Sequence, residues 1–188
     1  MKDKVVAVSI ALFEKKGFSE TSIQDIVDEL GLTKGTFYHY YSSKEQLLMD
    51  IHLRYIEDLL QAAQQIVDDP DSESVAKLQA IIRLLIKQIR TNGQEGSVFF
   101  REMRNLTGDN FQQIKVKRDQ FRFHFQTIIE QGMETGAFRR DLRADMVALG
   151  LLGMCNWSYS WFDPEGAVNE DELSAIYMEM ALKGIQAD

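Results

Sequence analysis

The stretch of residues 21–48 constrains the fold more than any other part of the sequence. It contains two short runs with apolar residues at helical spacing, separated by Gly31, and then the start of a third run. Glycine after the first run permits the left-handed conformation that commonly ends a helix. Ser22 and Thr33 stand where a hydroxyl can cap a first helical turn, and Asp25 follows Ser22 at the capping-box spacing. The stretch therefore predicts a helix, a tight turn and a second helix.

The second of these helices carries polar and aromatic side chains that a hydrophobic core does not need. A short helix, a glycine-containing turn and a polar second helix are typical of a helix-turn-helix, whose second helix enters the major groove of DNA. We expect Phe37 and Tyr41, four residues apart, to anchor that helix, while Lys34 and Lys44 neutralise phosphates. The residues predicted to contact DNA are Thr21, Ser22, Thr33, Lys34, Gly35, Thr36, Tyr38, His39, Tyr40 and Lys44.

Residues 5–52 resemble the N-terminal DNA-binding domain of the TetR family of bacterial repressors. The resemblance rests on Ala11, Leu12, Phe13, Gly17, Phe18, Thr21, Ser22, Ile23, Ile26, Gly31, Leu32, Thr33, Lys34, Gly35, Thr36, Phe37, Tyr38, Tyr41, Ser43, Lys44, Glu45, Gln46, Leu47 and Leu48. It implies a three-helix head over residues 1–46 and a helical body over residues 47–188 that binds a ligand and dimerises. It also implies double-stranded DNA with a palindromic operator as the partner of a homodimer.

The rest of the chain predicts an all-α fold. The two prolines, Pro70 and Pro164, lie where helices are expected to end, and no strand-like alternation extends beyond a few residues. The periodicity predicts nine helices, at about 2–17, 22–30, 34–41, 44–67, 73–91, 96–106, 110–135, 144–162 and 170–186.

Charge and cysteine content limit the class of protein. The net charge is −8, and residues 1–52 carry six Lys or Arg against eight Asp or Glu, so we expect DNA binding to depend on a few well-placed contacts and on dimerisation. The single cysteine excludes an internal disulfide and fits a reducing cytoplasm, which is the predicted location. No apolar run is long enough to span a membrane, so no membrane partner is expected.

Residues 146–162 are apolar almost all round, so this helix must be covered on two sides. The last helix offers an apolar stripe of its own, and together the two can form a four-helix dimer seam. A monomer with one fully buried central helix is the alternative. The residues predicted to form the dimer interface are Met146, Gly150, Gly153, Met154, Leu173, Tyr177, Met180 and Gly184.

Residues 96–138 hold the candidate effector site. An aromatic and methionine-rich surface adjoins a basic stripe there, which suits a small amphipathic ligand with an apolar tail and an anionic head. An aromatic stripe is also typical of a core, and a basic stripe of a solvated face, so both interpretations stay open. The predicted ligand-binding residues are Phe99, Phe100, Arg101, Met103, Arg104, Lys115, Arg118, Phe121, Arg122, Phe125, Ile128, Asn156, Trp157 and Trp161.

Residues 153–166 are similar to a segment of the TetR-family branch that senses acyl-coenzyme A thioesters, the FadR-like and KstR-like regulators. This resemblance implies a repressor of fatty-acid degradation genes that a fatty acyl-CoA releases from its operator, with a long-chain acyl-CoA as one candidate. Two alternatives stay open. One is a sensor of a lipophilic drug or other hydrophobic metabolite, and the other is a helical protein-interaction module without DNA binding.

The sequence predicts no enzymatic activity. His39, His52 and His124 are far apart and show no metal-ligand spacing with Cys155. No glycine-rich phosphate loop or nucleophile elbow occurs. We therefore expect no catalytic site, no bound metal and no cofactor.

Overall fold

The computed structural model describes residues 1–185, and this part of the chain is helical without a β-strand. The prediction of an all-α fold is confirmed. The α-helices of the described residues are α1 Lys2–Lys16, α2 Ile23–Glu29, α3 Lys34–Tyr40, α4 Lys44–Asp68, α5 Ser74–Glu102, α6 Gly108–Thr135, α7 Ala144–Trp157 and α8 Glu170–Ile185. Short 3₁₀ turns at Met103–Asn105 and Ser158–Ser160 follow α5 and α7.

The main difference from the predicted nine helices lies in the middle of the chain. The predicted helices at 73–91 and 96–106 are joined in α5, which is interrupted only at Asn92, with φ −134° and ψ 34°. No proline separates them, and the Asn92 side chain donates to Gln88 Oε1 at 2.7 Å, which keeps the chain close to the helical path. The predicted end of the last helix at residue 186 lies outside the described residues.

The chain forms two compact units. The N-terminal unit comprises residues 1–57 and 94–116, and the C-terminal unit comprises residues 58–93 and those from Lys117 onward. The helices α4, α5 and α6 each contribute residues to both units. The predicted boundary between residues 46 and 47 is a division by function and stays a prediction.

The N-terminal unit has its own apolar core. Helices α1 to α3 and the start of α4 bury side chains in it, and the 94–116 segment buries four more. Burying an aliphatic or aromatic side chain contributes about 1.5–3 kcal/mol, so this segment is part of what stabilises the unit. The core side chains include Val5, Val6, Ile10, Phe13, Ile26, Val27, Phe37, Leu47, Leu48, Ile51, Val98, Phe99, Leu106 and Ile114.

In the C-terminal unit, α5, α6, α7 and α8 bury aliphatic and aromatic side chains against one another. The largest contributors are Leu78, Ile81, Ile82, Ile86, Phe125, Ile128, Ile129 and Phe138. Ion pairs at the surface connect α5 to α8 and to the loop that precedes α8. Arg83 pairs with Asp171 at 2.7 Å, and Arg90 pairs with Glu165 at 2.9 Å and Glu170 at 3.2 Å.

Candidate DNA-binding surface and ligand site

A reciprocal capping box begins α2. The Ser22 backbone N–H donates to Asp25 Oδ2 at 2.7 Å, and the Asp25 backbone N–H donates to Ser22 Oγ at 3.1 Å. The hydrogen bond from the Ser22 backbone, helped by the ammonium of Lys16 at 2.9 Å, holds the pKa of Asp25 well below its usual range. The predicted cap is confirmed, with aspartate in place of the more common glutamate.

The turn between α2 and α3 follows from Gly31. Its φ of +63° is in the left-handed region, which glycine enters without steric cost. The Leu32 backbone N–H then donates to the Val27 carbonyl at 2.8 Å and closes the turn. Thr33 Oγ1 accepts from the Thr36 backbone N–H at 3.3 Å and caps α3. The helix, tight turn and helix predicted from this stretch are therefore present.

Helix α3 is anchored by one face and exposed on the other. Phe37 is fully buried and Tyr41 nearly so, with ring centroids 5.9 Å apart, as predicted. The Tyr41 hydroxyl donates to Asp50 Oδ2 at 2.5 Å, which fixes the end of α3 to α4. Thr33, Lys34, Gly35, Tyr38 and His39 are exposed. A polar surface with one cation and an aromatic tip is thus held on a rigid support.

Two residues predicted to contact DNA have other partners. Thr21 is buried, and its hydroxyl donates to the Gly17 carbonyl at 2.8 Å. The Lys44 ammonium donates to the carbonyls of Phe18 and Thr21, both at 2.6 Å, and lies 4.2 Å from the Phe18 ring centroid. Burial lowers the pKa of Lys44. Both predictions are corrected, because these side chains hold the connection between α1 and α2 in place.

The predicted ligand residues of the N-terminal unit do not line one site. Phe99 is buried, with its ring 5.1 Å from that of His52 and 4.8 Å from that of Tyr55. Arg101 donates to main-chain carbonyls at the end of α1. Phe99 and Arg101 therefore stabilise the N-terminal unit, and the prediction that they bind a ligand is corrected. Phe100 and Met103 are half-exposed, and Arg104 and Lys115 are exposed.

In the C-terminal unit, the predicted aromatic stripe belongs to the core. Phe121, Phe125 and Ile128 are buried, so the interpretation of this stripe as part of a core holds. Arg118 is half-buried, which lowers its pKa, and the guanidinium carbon of Arg122 lies 4.5 Å from the Phe123 ring centroid. Asn156 is half-exposed, and Trp157 and Trp161 are exposed.

A groove of about 640 Å³ lies between α4 and α6 in the C-terminal unit. Its lining is formed by Leu60, Gln61, Gln64, Val67, Gln120, Phe123, His124 and Thr127. At 100° per residue, its α6 face points away from Arg118 and Arg122, which lie on the other side of the buried aromatic stripe. The groove therefore offers amides, a hydroxyl and an imidazole, without a charged lining residue.

Sequence reasoning missed this groove. His124 is half-buried there, and burial lowers its pKa against the opposing charge of Asp68. The signal was the spacing of Gln120, Phe123, His124 and Thr127, which places all four on one helical face. Spacing alone did not distinguish a groove from an ordinary solvated surface.

Helices α7 and α8 expose a large apolar surface. Met146, Gly150, Gly153, Met180 and Gly184 are exposed and Met154 is half-exposed, and Leu149 and Ile176 are exposed on the same two helices. Two predicted interface residues are instead buried within the chain. These are Leu173 and Tyr177, whose hydroxyl is 2.8 Å from Ser158 Oγ. The alternative of a fully buried central helix is wrong, because Leu149 is 47% exposed and Trp157 70% exposed.

The described residues contain no cluster of three or more His, Cys, Asp or Glu side chains arranged to hold a metal ion. Cys155 is buried in α7, and burial raises the pKa of its thiol to about 12. Within residues 1–185, none of the helices combines the length and the apolar character needed to cross a membrane.

Comparison with known proteins decides the family. Residues 5–51 match the model of bacterial regulatory proteins of the tetR family, and residues 71–185 match the model of the tetracyclin repressor-like C-terminal domain. This chain belongs to the TetR family. Members of the family are DNA-binding regulators, so the prediction that this TetR-family protein is no enzyme is confirmed.

Several relatives match along nearly the whole chain. The transcriptional repressor KstR2 of Rhodococcus jostii is 24% identical over 185 residues, covering 98% of this chain and 90% of that repressor. KstR2 of Mycobacterium tuberculosis is 25% identical, with 98% and 92% covered. These matches support the predicted resemblance to the KstR-like branch.

Solved structures show the same fold. The structure of the ketosteroid regulator KstR2 of Mycobacterium tuberculosis matches with a TM-score of 0.90 at 24% identity, covering 100% of this chain and 95% of that one. AibR in complex with isovaleryl coenzyme A and operator DNA matches with a TM-score of 0.86 at 24% identity, with 95% and 96% covered. The TetR-like architecture predicted from the sequence is therefore confirmed.

Proposed function

We propose that this TetR-family regulator is a homodimeric repressor that leaves its operator when an acyl-coenzyme A thioester binds its C-terminal unit. The observation that carries the proposal is the capped α2–turn–α3 element with its exposed polar surface, in a chain that family models match on both sides of α4. The full-length relatives are named as repressors. The regulated genes in this proposal are those of fatty-acid degradation.

Operator binding by this mechanism needs two copies of α3. Helix-turn-helix dimers read half-sites one helical turn apart, about 34–36 Å between the two recognition helices. The apolar surface of α7 and α8 supplies a self-complementary seam, since Gly150, Gly153 and Gly184 leave open space where a Cβ would stand. Met146, Met154 and Met180 flank them on the same two helices. The partner is palindromic double-stranded DNA.

Two observations support an acyl-CoA as the ligand: the ligand of the structurally similar AibR, and the side chains that line the groove of this chain. AibR, a protein of the same fold, binds isovaleryl coenzyme A. The pantetheine arm of any acyl-CoA carries secondary amides, which match the carboxamides of Gln61, Gln64 and Gln120 as donors and acceptors. Leu60 and Val67 supply apolar contacts for an acyl chain. The groove volume of about 640 Å³ lies within the range of small-molecule sites.

Release from the operator requires a ligand that prefers the form with poor DNA affinity. Shifting a two-state equilibrium from 1:99 to 99:1 takes a preference of about 10⁴-fold. Helix α4 contributes residues to both units, so it is a continuous covalent path along which such a preference can act. The ligand that we propose is an acyl-CoA whose acyl group is either a long chain or a short branched chain.

The test is fluorescence anisotropy on labelled DNA from the promoter next to its own gene. Palmitoyl-CoA and isovaleryl-CoA are the probes, with coenzyme A and palmitate alone as controls. We expect one thioester to release the DNA at concentrations where both controls do not. DNA binding that no thioester changes contradicts the ligand proposal. Release by tetraphenylphosphonium alone would instead support the sensor of a lipophilic drug.

Variants of the groove sharpen this test. Gln64→Leu and Gln120→Leu keep the size of the side chain and remove its amide, so each should raise the thioester concentration needed for release about tenfold, the effect of one lost hydrogen bond. Gln112→Leu on the exposed part of α6 is the matched control, since Gln112 does not line the groove. Equal effects of all three variants would contradict the placement of the ligand.

A further inference from the structure

The 94–116 segment is far in sequence from the helix-turn-helix but belongs to the same compact unit. It comprises the end of α5, the 3₁₀ turn and the start of α6. Four of its apolar side chains are buried in that unit, namely Val98, Phe99, Leu106 and Ile114. The helix-turn-helix therefore packs on a segment that lies outside the predicted head of residues 1–46.

Arg101 fastens this segment to the end of α1. Its Nη2 donates to the carbonyl of Phe13 and, at 2.8 Å, to that of Glu14, while its Nε donates to Glu102 Oε1 at 2.8 Å. Carbonyls in the last turn of a helix carry the negative end of the helix dipole, and the Phe13 carbonyl also accepts from the Gly17 backbone N–H at 2.9 Å. A guanidinium suits this position because its N–H groups form a rigid fork that binds several acceptors at once.

Glu102 keeps this guanidinium in place. Its side chain is only 3% exposed, and its carboxylate also accepts from Asn105 Nδ2 at 2.8 Å. A buried carboxylate needs charged and hydrogen-bonding partners, so Arg101 and Glu102 stabilise each other. Gly17, the residue that ends α1 with a φ of +89°, passes close by, since a Cβ on it would stand 3.8 Å from Glu102 Oε1.

A second fastening joins the same segment to the start of α4. Glu45 Oε1 accepts from the Thr107 backbone N–H and hydroxyl, each at 3.0 Å, and from Asn110 Nδ2 at 3.2 Å. The hydrogen bond from the Thr107 backbone N–H, followed by that from the Asn110 side-chain amide, lowers the pKa of Glu45. The 94–116 segment thus binds the helix before and the helix after the α2–α3 pair.

From these contacts we infer that Arg101 is a positioning residue for DNA recognition. By holding the end of α1 to the 94–116 segment, its guanidinium fixes the connection from which α2 and α3 depart. The inference rests on operator binding and does not depend on the identity of the ligand. It replaces the head-group role that the sequence suggested for Arg101.

The test compares Arg101→Gln and Arg101→Lys with Arg140→Gln, which removes an exposed arginine from the C-terminal unit. Losing charge-assisted hydrogen bonds of this kind should weaken operator binding about tenfold or more in Arg101→Gln, less in Arg101→Lys, and not in Arg140→Gln. The slope of binding against salt should stay that of the wild type, because no phosphate contact is lost. A slope that falls by about one per site would overturn the inference, since Arg101 would then contact DNA itself.

Hydrogen exchange of the DNA-free proteins gives a readout that does not need an operator. In Arg101→Gln we expect faster exchange of amides at the end of α1 and through α2, with residues 58–93 unchanged. Wild-type exchange there, or wild-type operator affinity, would overturn the inference. If Arg101→Gln does not fold, Arg101→Lys decides in the same two measurements. A wild-type protein that binds no operator would contradict the proposed function and leave the exchange test to stand alone.

Discussion

Cations of the N-terminal unit use many of their N–H groups inside the protein. Lys44 and Arg101 donate to main-chain carbonyls, while Lys2 and Arg54 pair with Asp50 at 3.3 and 3.2 Å. Each of these contacts orders a connection between helices and leaves its cation less free to meet a phosphate. The DNA-facing charge of the unit is therefore smaller than its composition suggests.

Gly132 offers a test of packing in the C-terminal unit. A Cβ at this position would stand 2.1 Å from Cδ2 and 2.4 Å from Cε2 of Phe138, a ring that is itself fully buried. We expect Gly132→Ala to lower the free energy of unfolding by about 1–3 kcal/mol, as overpacking does. Urea denaturation measures this. Gly93→Ala, where a Cβ meets nothing within 4 Å, is the control and should not destabilise, so equal losses would contradict the packing described.

Acid should weaken the N-terminal unit through Asp50. Burial by itself raises its pKa, but the hydrogen bond from Tyr41 and the charges of Arg54 and Lys2 bring it below the ordinary value of 3.8. A carboxylate with a depressed pKa stabilises the fold above that ordinary value, and the contribution is lost as pH falls through the lower, folded value. We expect the melting temperature to drop as the pH is lowered from 7 to 3.

The matched measurement uses Asp50→Asn and, as control, Glu29→Gln at an exposed position. The asparagine variant should be less stable at pH 7 and lose less stability on acidification, because the titrating carboxylate is gone. Parallel melting curves for the wild type and Asp50→Asn across this pH range would show that Asp50 does not contribute.

Local chemistry was predictable, and distant partners were not. The Ser22–Asp25 cap and the left-handed Gly31 follow from residues within a few positions of each other, so the sequence is enough. Arg101 meets carbonyls almost ninety residues earlier in the chain, and a sequence without coordinates shows its charge but not those partners. The same reason explains why Lys44 looked like a phosphate contact.

Helices α7 and α8 are the elements that a second copy would cover. Met180→Asp places a charge on the exposed apolar surface of α8, where Met180 is 60% exposed in one chain. If this surface is the seam, burying the charge there is unfavourable, so the dimer should dissociate while the monomer stays folded. Light scattering should then show a mass moving from twice 21.6 kDa towards 21.6 kDa.

Gln65→Asp, on the exposed face of α4, is the control for this substitution and should leave the mass unchanged. Circular dichroism verifies that both variants stay helical. A Met180→Asp protein with the wild-type mass would place the seam elsewhere. The loss of the dimer should also weaken operator binding, because one α3 then meets only one half-site.

Helix existence was easier to predict than helix continuity. Apolar spacing located the start of every long α-helix of the described residues to within two positions, because burial of one face dictates it. The break expected between residues 91 and 96 is a single non-helical residue, Asn92. Thr-Asn-Gly in sequence is compatible with either outcome, and the hydrogen bond from the Asn92 side chain to Gln88 accompanies the nearly continuous form.

For the molecule as a whole, the dependence of operator binding on salt is the informative quantity. The exposed lysines of residues 1–52 are Lys4, Lys15, Lys16 and Lys34, of which Lys16 pairs with Asp25 at 2.9 Å. If the other three meet phosphates in both copies, the slope of log K against log salt should be no steeper than about −5. A helical protein-interaction module without DNA binding would show no dependence of DNA binding on salt. The measurement therefore distinguishes the regulator from that alternative.

Lys34→Gln tests the largest assumption in that estimate. One phosphate contact per copy should reduce the magnitude of the slope by about two in the dimer. Lys44→Gln should weaken binding without changing the slope, since its ammonium is held by carbonyls. The opposite pattern would restore Lys44 as a phosphate contact.

Both tryptophans of the chain, Trp157 and Trp161, lie at the end of α7 and just beyond it, on the C-terminal unit. Because the two indoles are exposed and only four residues apart, ultraviolet emission excited at their absorption edge comes from one small region. Emission that changes when a second copy binds would report events at the end of α7, while binding of DNA alone should leave its wavelength unaltered. The C-terminal unit thus carries a native optical label beside one of the two helices proposed for the dimer seam.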